Sequence, residues 1–206
     1  NVEENTINLM RELKNELNTL SKERVYTEFS KALLTDKPSI FFDILRKSDT
    51  LDVHFKEVKD LIGAEQPPQY HPEGDAYNHT MLVLDKATEL TSNLSQKRKL
   101  EIRFSALVHD FGKGVTPKEQ YPHHYGHETA GAKIVSEFGQ NIKAPNNLIK
   151  CGKTACLEHM RGGIFYKMKP SKKVEFIERV SKSILSLDGL QTVSYTHLRA
   201  HETAAN

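Results

Sequence analysis

The chain has 206 residues, of which 37% are apolar, 27% charged and 8% aromatic, enough apolar material to bury a core over most of its length. A formal net charge of +2 excludes a strongly basic nucleic-acid binder, so any nucleic-acid contact has to come from a local patch. No run of roughly eighteen apolar residues is present to span a membrane, and the opening residues NVEENTINLM lack a signal-peptide pattern.

The first third reads as helices. Met10, Leu13, Leu17 and Leu20 recur at three and four, one face of a helix. Ser21 suits the N-cap of the next, with Val25, Phe29 and Leu33 inward. Pro38 sits near the start of a short helix, where its missing N–H costs nothing, and Phe41, Ile44 and Leu45 form that helix's apolar face. A further helix is expected over 54–62, stopping at Gly63. Residues 64–75, AEQPPQYHPEGD, read as a linker or rigid loop, because three prolines and a glycine cannot propagate a helix.

From Ala76 the helical period returns through Met81, Leu84 and Ala87 or Thr88. A polar turn, SNLSQ, leads to a second long helix with Leu100, Ile102, Phe104, Ala106, Leu107 and Val108 inside, ended by Gly112 and Gly114. TPKEQYPHHYG reads as loop, and helices are expected from Glu128 to Phe138, over about 146–160 and over about 172–186. Alternating strand patterns, hairpin signals and internal repeats are absent, so the fold class is all-α. The last stretch, SYTHLRAHETAAN, shows no helical period and resembles translated sequencing-adapter read-through. Residues 192–206 are therefore read as a non-native tail, with no role for His197 or His201, and the Asn at position 1 as a start whose natural beginning lies upstream. Cys151 and Cys156, at spacing five, fit neither a zinc site nor a disulfide framework and suit a reducing cytoplasm.

Ten histidines are unusual, and six fall between His71 and His127. His109 and Asp110 follow the apolar run Phe104–Val108 without a break. A polar pair there is costly unless something satisfies it, and a divalent metal does so, since neutral imidazole and carboxylate are both ligands. Adjacent helix positions are about 100° apart, close enough for both side chains to meet one ion. His79 opens the preceding helix, and His123, His124 and His127 lie in the loop after the pair. Lys113, three residues after Asp110, is placed to meet a phosphate oxygen on such a metal. His71 and His54 read as surface residues, and His159 as an ordinary helix histidine within reach of the site.

His79-Thr80, LVHDFGKG at 107–114 and PHHYGHETAG at 122–131 resemble the HD superfamily of metal-dependent phosphohydrolases. Together with QPPQYHPEGDAYNHTMLVLDKA they resemble the HD domain of the bacterial multifunctional CCA proteins, the tRNA nucleotidyltransferases. SKERVYTEFSKALL, with Glu23, Arg24 and Glu28, resembles the ER-x-x-x-E neck motif of that family. The resemblance implies a neck-like helical region at 1–63 and an HD bundle at 64–191. It also implies hydrolysis of phosphomonoesters or 2′,3′-cyclic nucleotides in tRNA processing, with tRNA or a nucleotide phosphate ester as partner. The site it implies is a divalent metal on His79, His109 and Asp110, with His127 or His124 holding a second ion or steadying the transferring group, and Lys113 neutralising charge. Nickel, manganese, cobalt or magnesium is the expected ion, and the ligand chemistry also admits zinc or iron.

Two features depart from the family pattern. The nucleotidyltransferase head motifs (a Gly-Ser loop, an Asp-x-Asp pair and Glu-Asp-x-x-Arg) are absent, so CCA addition is not expected of this stretch. The family closes its metal site with a later Asp in an Ala-Asp context, and Asp188 in SLDGL does not match it. A rival reading makes the chain a non-catalytic tRNA-binding module, with Lys97, Arg98 and Lys99 and the stretch Lys167–Lys173 on phosphates. A different HD enzyme acting on dNTPs or alarmones is disfavoured by the neck-like first third.

Overall fold

The computed structural model describes the backbone of residues 2–203 and the side chains of residues 2–194. Helices α1 (Glu4–Glu12), α2 (Lys22–Leu33), α3 (Ser39–Lys47), α4 (Leu51–His54) and α5 (Lys56–Lys59) occupy the first third. Then follow α6 (Ala76–Leu90), α7 (Gln96–Val108), α8 (His127–Asn141), α9 (Asn146–Gly163), α10 (Pro170–Ser181) and α11 (Ser186–Thr203). The fold is all-α: among the described residues there is no strand, only an isolated bridge between Glu65 and Asp75. No helix among them is long and apolar enough to cross a membrane.

Local chemistry explains most boundaries. Ser21 caps α2 by accepting from the Arg24 N–H, and Val25, Phe29 and Leu33 are its buried face. Asp75 and Ser95 cap α6 and α7 in the same way. Gly63 adopts φ +77 and ends the α5 region as expected.

Several expectations need correction. The repeat from Met10 to Leu20 is not one helix: α1 stops at Glu12, and Lys14–Thr19 forms a 3₁₀ helix, which three-residue spacing suits equally well. Leu13 is 49% exposed, and Ile7 is the residue α1 buries. In α3 the fully buried side chain is Phe42, with Phe41, Ile44 and Leu45 only half-buried. The expected helix at 54–62 is two short ones, α4 and α5, broken at Phe55. The largest departure is α11, which continues to Thr203 where no helix was expected. Leu190 and Val193, three apart, are buried against the bundle. Gly162 of α9 lets α11 approach, since a Cβ there would stand 2.2 Å from Ser194 Oγ. The side chains of His197 and His201 lie outside the described residues.

The first third and the bundle share one apolar core. Phe29, Leu33 and Phe42 pack with Leu84, Phe104, Leu107 and Phe138. The Phe29 ring meets Phe104 and Phe138 edge-on, with centroids 6.3 and 6.1 Å away. Helix ends are tied across the junction as well. Buried Arg103 of α7 donates to the Leu33 and Thr35 carbonyls at 2.9 and 3.0 Å, closing the C-terminus of α2. Asp85 of α6 accepts from the Ser39 backbone N–H at 3.1 Å and its hydroxyl at 2.7 Å, closing the N-terminus of α3. A second cluster, including Val83, Ala106, Ala155, Val180 and Leu190, joins α6, α7 and α9 to α10 and α11.

Candidate metal centre

His109 is the C-cap of α7, and Asp110 follows it at the end of a run buried from Glu101 to Val108. The chain then tightens into a 3₁₀ turn over Phe111–Val115. Three residues per turn bring Lys113 back over Asp110. Its Nζ stands 2.8 Å from Asp110 Oδ2 and donates to Gln66 Oε1 at 2.6 Å. Gly112 is what lets α8 begin against this turn, because a Cβ would lie 1.9 Å from the His127 carbonyl oxygen.

Four imidazoles surround the Asp110 carboxylate. His109 Nε2 and His79 Nε2 face Oδ2 at 3.2 and 3.9 Å. His159 Nε2 and His127 Nε2 face Oδ1 at 3.4 and 3.6 Å. His79, His109, Asp110 and His159 are fully buried, and His127 is 6% exposed.

The protons on these rings are assigned by their far sides. His109 Nδ1 lies 2.8 Å from the Ala106 carbonyl, His127 Nδ1 2.8 Å from that of His124, and His159 Nδ1 3.0 Å from those of Ala155 and Cys156. A carbonyl only accepts, so each Nδ1 donates and each Nε2 of a neutral ring keeps its lone pair. His79 does the same with the Glu73 carboxylate, 2.6 Å from its Nδ1. Burial pushes the His79 pKa down to about 4, against the opposing pull of Glu73, and burial lowers that of His127 too. Burial raises the Asp110 carboxyl, but the His109 ring and the Lys113 ammonium outweigh it and hold it well below the usual carboxylate range.

Lone pairs thus converge on an anion. Among the described residues the Lys113 ammonium, at Oδ2, is the cation paired with this carboxylate, and Asp110 Oδ1 and His127 Nε2 make no hydrogen bond. Such a cluster is costly in a buried site unless a cation lies within it. The donor set fits a divalent metal: neutral imidazole nitrogens and an ionised carboxylate. His79, His109 and Asp110 bring ligand atoms within 4.8 Å of one another, and Asp110, His127 and His159 do likewise.

Other expected site residues sit elsewhere. His124 is buried, but it donates from Nε2 to the Glu65 carbonyl at 2.7 Å and belongs to neither of those ligand groups. It braces the 64–75 segment. His123 is exposed and His54 half-buried, bonded through Nε2 to the Leu17 carbonyl. His71, read as surface, is buried beside His79. His159, read as an ordinary helix residue, faces Asp110. Its spacing from Ala155 and Cys156 on α9 carries no signal, because its direction depends on how α9 packs on α7.

Arg98 is engaged inside the fold. It donates to the Ile184 and Leu185 carbonyls and to Ser186 Oγ, and pairs with Asp188 at 3.0 Å. Asp188 is therefore held away from the metal centre, on the surface. Lys99 is half-buried, and Lys97, Lys167, Lys169 and Lys172 are exposed. Glu23, Arg24 and Glu28 are exposed on α2, with Glu28 paired to Lys31 at 3.0 Å.

Two known families match successive parts of the chain. Residues 1–62 match the family described as the probable RNA and SrmB-binding site of polymerase A, and residues 76–184 match the HD domain. A multifunctional CCA protein of Mannheimia succiniciproducens is 38% identical over 177 residues, covering 85% of this chain and 42% of that protein. One from Haemophilus influenzae is 42% identical over 156 residues, covering 75% and 38%. One from Shewanella denitrificans is 36% identical over 167 residues, covering 81% and 39%. The chain spans about two fifths of the length of these curated relatives.

Proposed function

The chain belongs to the HD-domain family, and on that premise we propose that it is a divalent-metal phosphohydrolase acting on 2′,3′-cyclic nucleotides or phosphomonoesters. The observation that carries this reading is the convergence of four imidazole Nε2 atoms on buried Asp110, with three of the four Nδ1 atoms bound to main-chain carbonyls and the fourth to Glu73. His79, His109, Asp110, His127 and His159 are the residues that would hold a divalent ion. When bound, a divalent ion supplies Lewis acidity toward a phosphoryl oxygen and lowers the pKa of water. Nickel, manganese, cobalt and magnesium are the ions to test. Lys113, its Nζ 2.8 Å from Asp110 Oδ2, steadies that carboxylate and would neutralise charge on a phosphate held at the centre. The deciding experiment follows phosphate-ester cleavage of a 2′,3′-cyclic nucleotide as each metal is titrated. Metal-dependent turnover supports the reading, and metal uptake without cleavage of any phosphate ester defeats it.

A second reading, a tRNA-binding module, is favoured by the RNA-binding family match over residues 1–62. Salt-sensitive tRNA binding that needs no metal, in a protein without hydrolytic activity, supports it instead. Both readings place the chain in tRNA metabolism, and the two free, buried thiols suit a reducing cytoplasm.

A further inference from the structure

Residues 64–75 form a folded wall of the metal centre. The backbone N–H groups of Tyr70 and His71 both donate to the Pro67 carbonyl at 2.9 Å, and that of Gly74 donates to the His71 carbonyl at 3.1 Å. Gly74 adopts φ +105, a conformation that favours glycine. Asp75 then caps α6, accepting from Asn78 N–H at 2.9 Å and from Gly63 N–H at 2.8 Å. This fixed path places Glu73, its side chain 7% exposed, between two imidazoles. Its Oε1 lies 2.6 Å from His79 Nδ1 and 3.0 Å from His71 Nδ1. The His71 ring stands edge-on to His79, with centroids 4.7 Å apart and planes at 85°.

A comparison within the centre shows what this contact does. His109, His127 and His159 each give their Nδ1 proton to a carbonyl three or four residues earlier in the chain. His79 gives its own to a side chain from a different segment. We infer that Glu73 is a positioning residue of the metal centre: it holds the Nδ1 proton of His79, fixes the ring's direction and so presents Nε2 beside Asp110. His71, on the same Oε1, keeps the Glu73 carboxylate in place. This inference rests on the metal reading above. Glu73 performs for His79 a task that main-chain carbonyls perform for the other three, so here alone it is open to substitution.

The test is cobalt binding by calorimetry, with the visible absorption of the bound ion as a second readout. Glu73→Ala is expected to weaken binding about 10–100-fold and to change the absorption at saturation, as loss of an outer partner of a metal-bound histidine does. Glu73→Gln, which keeps an acceptor at the same reach, retains most of the affinity. In a His79→Ala background, Glu73→Ala adds no further loss, because the two act as one unit. Full additivity of the two substitutions overturns the inference, and so does loss of one whole equivalent of metal in Glu73→Ala, which would make Glu73 a ligand. Should Glu73→Ala not fold, Glu73→Asp keeps the charge, shortens the arm and is expected to lose affinity where Glu73→Gln keeps it; the reverse order overturns the inference. No cobalt uptake by the unaltered chain defeats the metal reading and this inference with it. Uptake unchanged in Glu73→Ala defeats this inference alone.

Discussion

Phe29 and Asp110 are both at 0% exposure, yet their surroundings have little else in common. Around Phe29 the rings of Phe42, Phe55, Phe104 and Phe138 meet at centroid distances of 5.4 to 6.4 Å, most of them edge-on. Burial there is its own reward, through area removed from water and close ring contacts. Around Asp110 burial is a penalty, since a carboxylate and four imidazoles face one another out of water, with the Lys113 ammonium as the cation beside them. The aromatic cluster sets how firmly the fold holds, and the polar cluster sets what the fold can bind. A protein this size carries the second only because the first outweighs it.

Substitutions separate the two regions. Phe29→Ala should cost about 3–5 kcal/mol of stability, read from a urea midpoint, because it empties a site lined by four other rings. A cost below about 1 kcal/mol would mean that the first third is not locked into the shared core. Asp110→Ala should do the opposite. Hydrolysis should fall at least about a hundredfold, roughly 2.7 kcal/mol of barrier. Its stability measured without metal should change less than that of Phe29→Ala, since a buried carboxylate is removed while the Lys113 ammonium loses its partner 2.8 Å away. Equal activity of this variant would remove Asp110 from the site.

Adding metal sharpens the same contrast at smaller scale. At a tenfold excess over Kd, an ion that binds only the folded chain should add about 1.4 kcal/mol of stability, seen as a raised melting temperature. Asp110→Ala should lose that gain and Phe29→Ala should keep it. The smallest effect belongs to a charge outside both regions. The Lys14 ammonium beside Asp52, 2.9 Å away, holds the Asp52 carboxyl below its ordinary range, with Lys59 at 3.3 Å adding to it. A depressed carboxyl pKa contributes stability above about pH 4, and that contribution fades as pH falls through the depressed value. With Asp52 35% exposed, the loss should be at most about 1 kcal/mol, and Lys14→Met should shrink the pH step in an acid melting series, with Lys59 holding the remainder.

Legibility in the sequence follows the same division. The His109–Asp110 pair could be read because a polar pair closing an apolar run has few explanations. His79 and His127 followed from their places at helix starts. His159 could not be read, since one histidine on α9 looks like any other until α9 is packed. Glu73 and His71 were hidden for a different reason: the prolines of 64–75 announce the lack of a helix, not the face on which the loop settles. Arg98 carries a charge in the sequence, while the Ile184 and Leu185 carbonyls that receive it are visible only in the fold. The helical class, the inward faces of α2, α6 and α7, and the stop at Gly63 were all legible from periodicity and caps. The extension of α11 was not, because few apolar residues mark it.

The four histidines around Asp110 come from four successive helices, α6 to α9, and no pair of neighbours completes the centre. An ion held there gains its full contacts only after all four helices have docked, late on the route from the unfolded chain. Contacts absent from the folding transition state slow unfolding and leave the folding rate almost untouched. Metal at this centre should therefore lengthen the lifetime of the folded chain rather than hasten its arrival, and the four helices should come apart more slowly together than any one of them would alone.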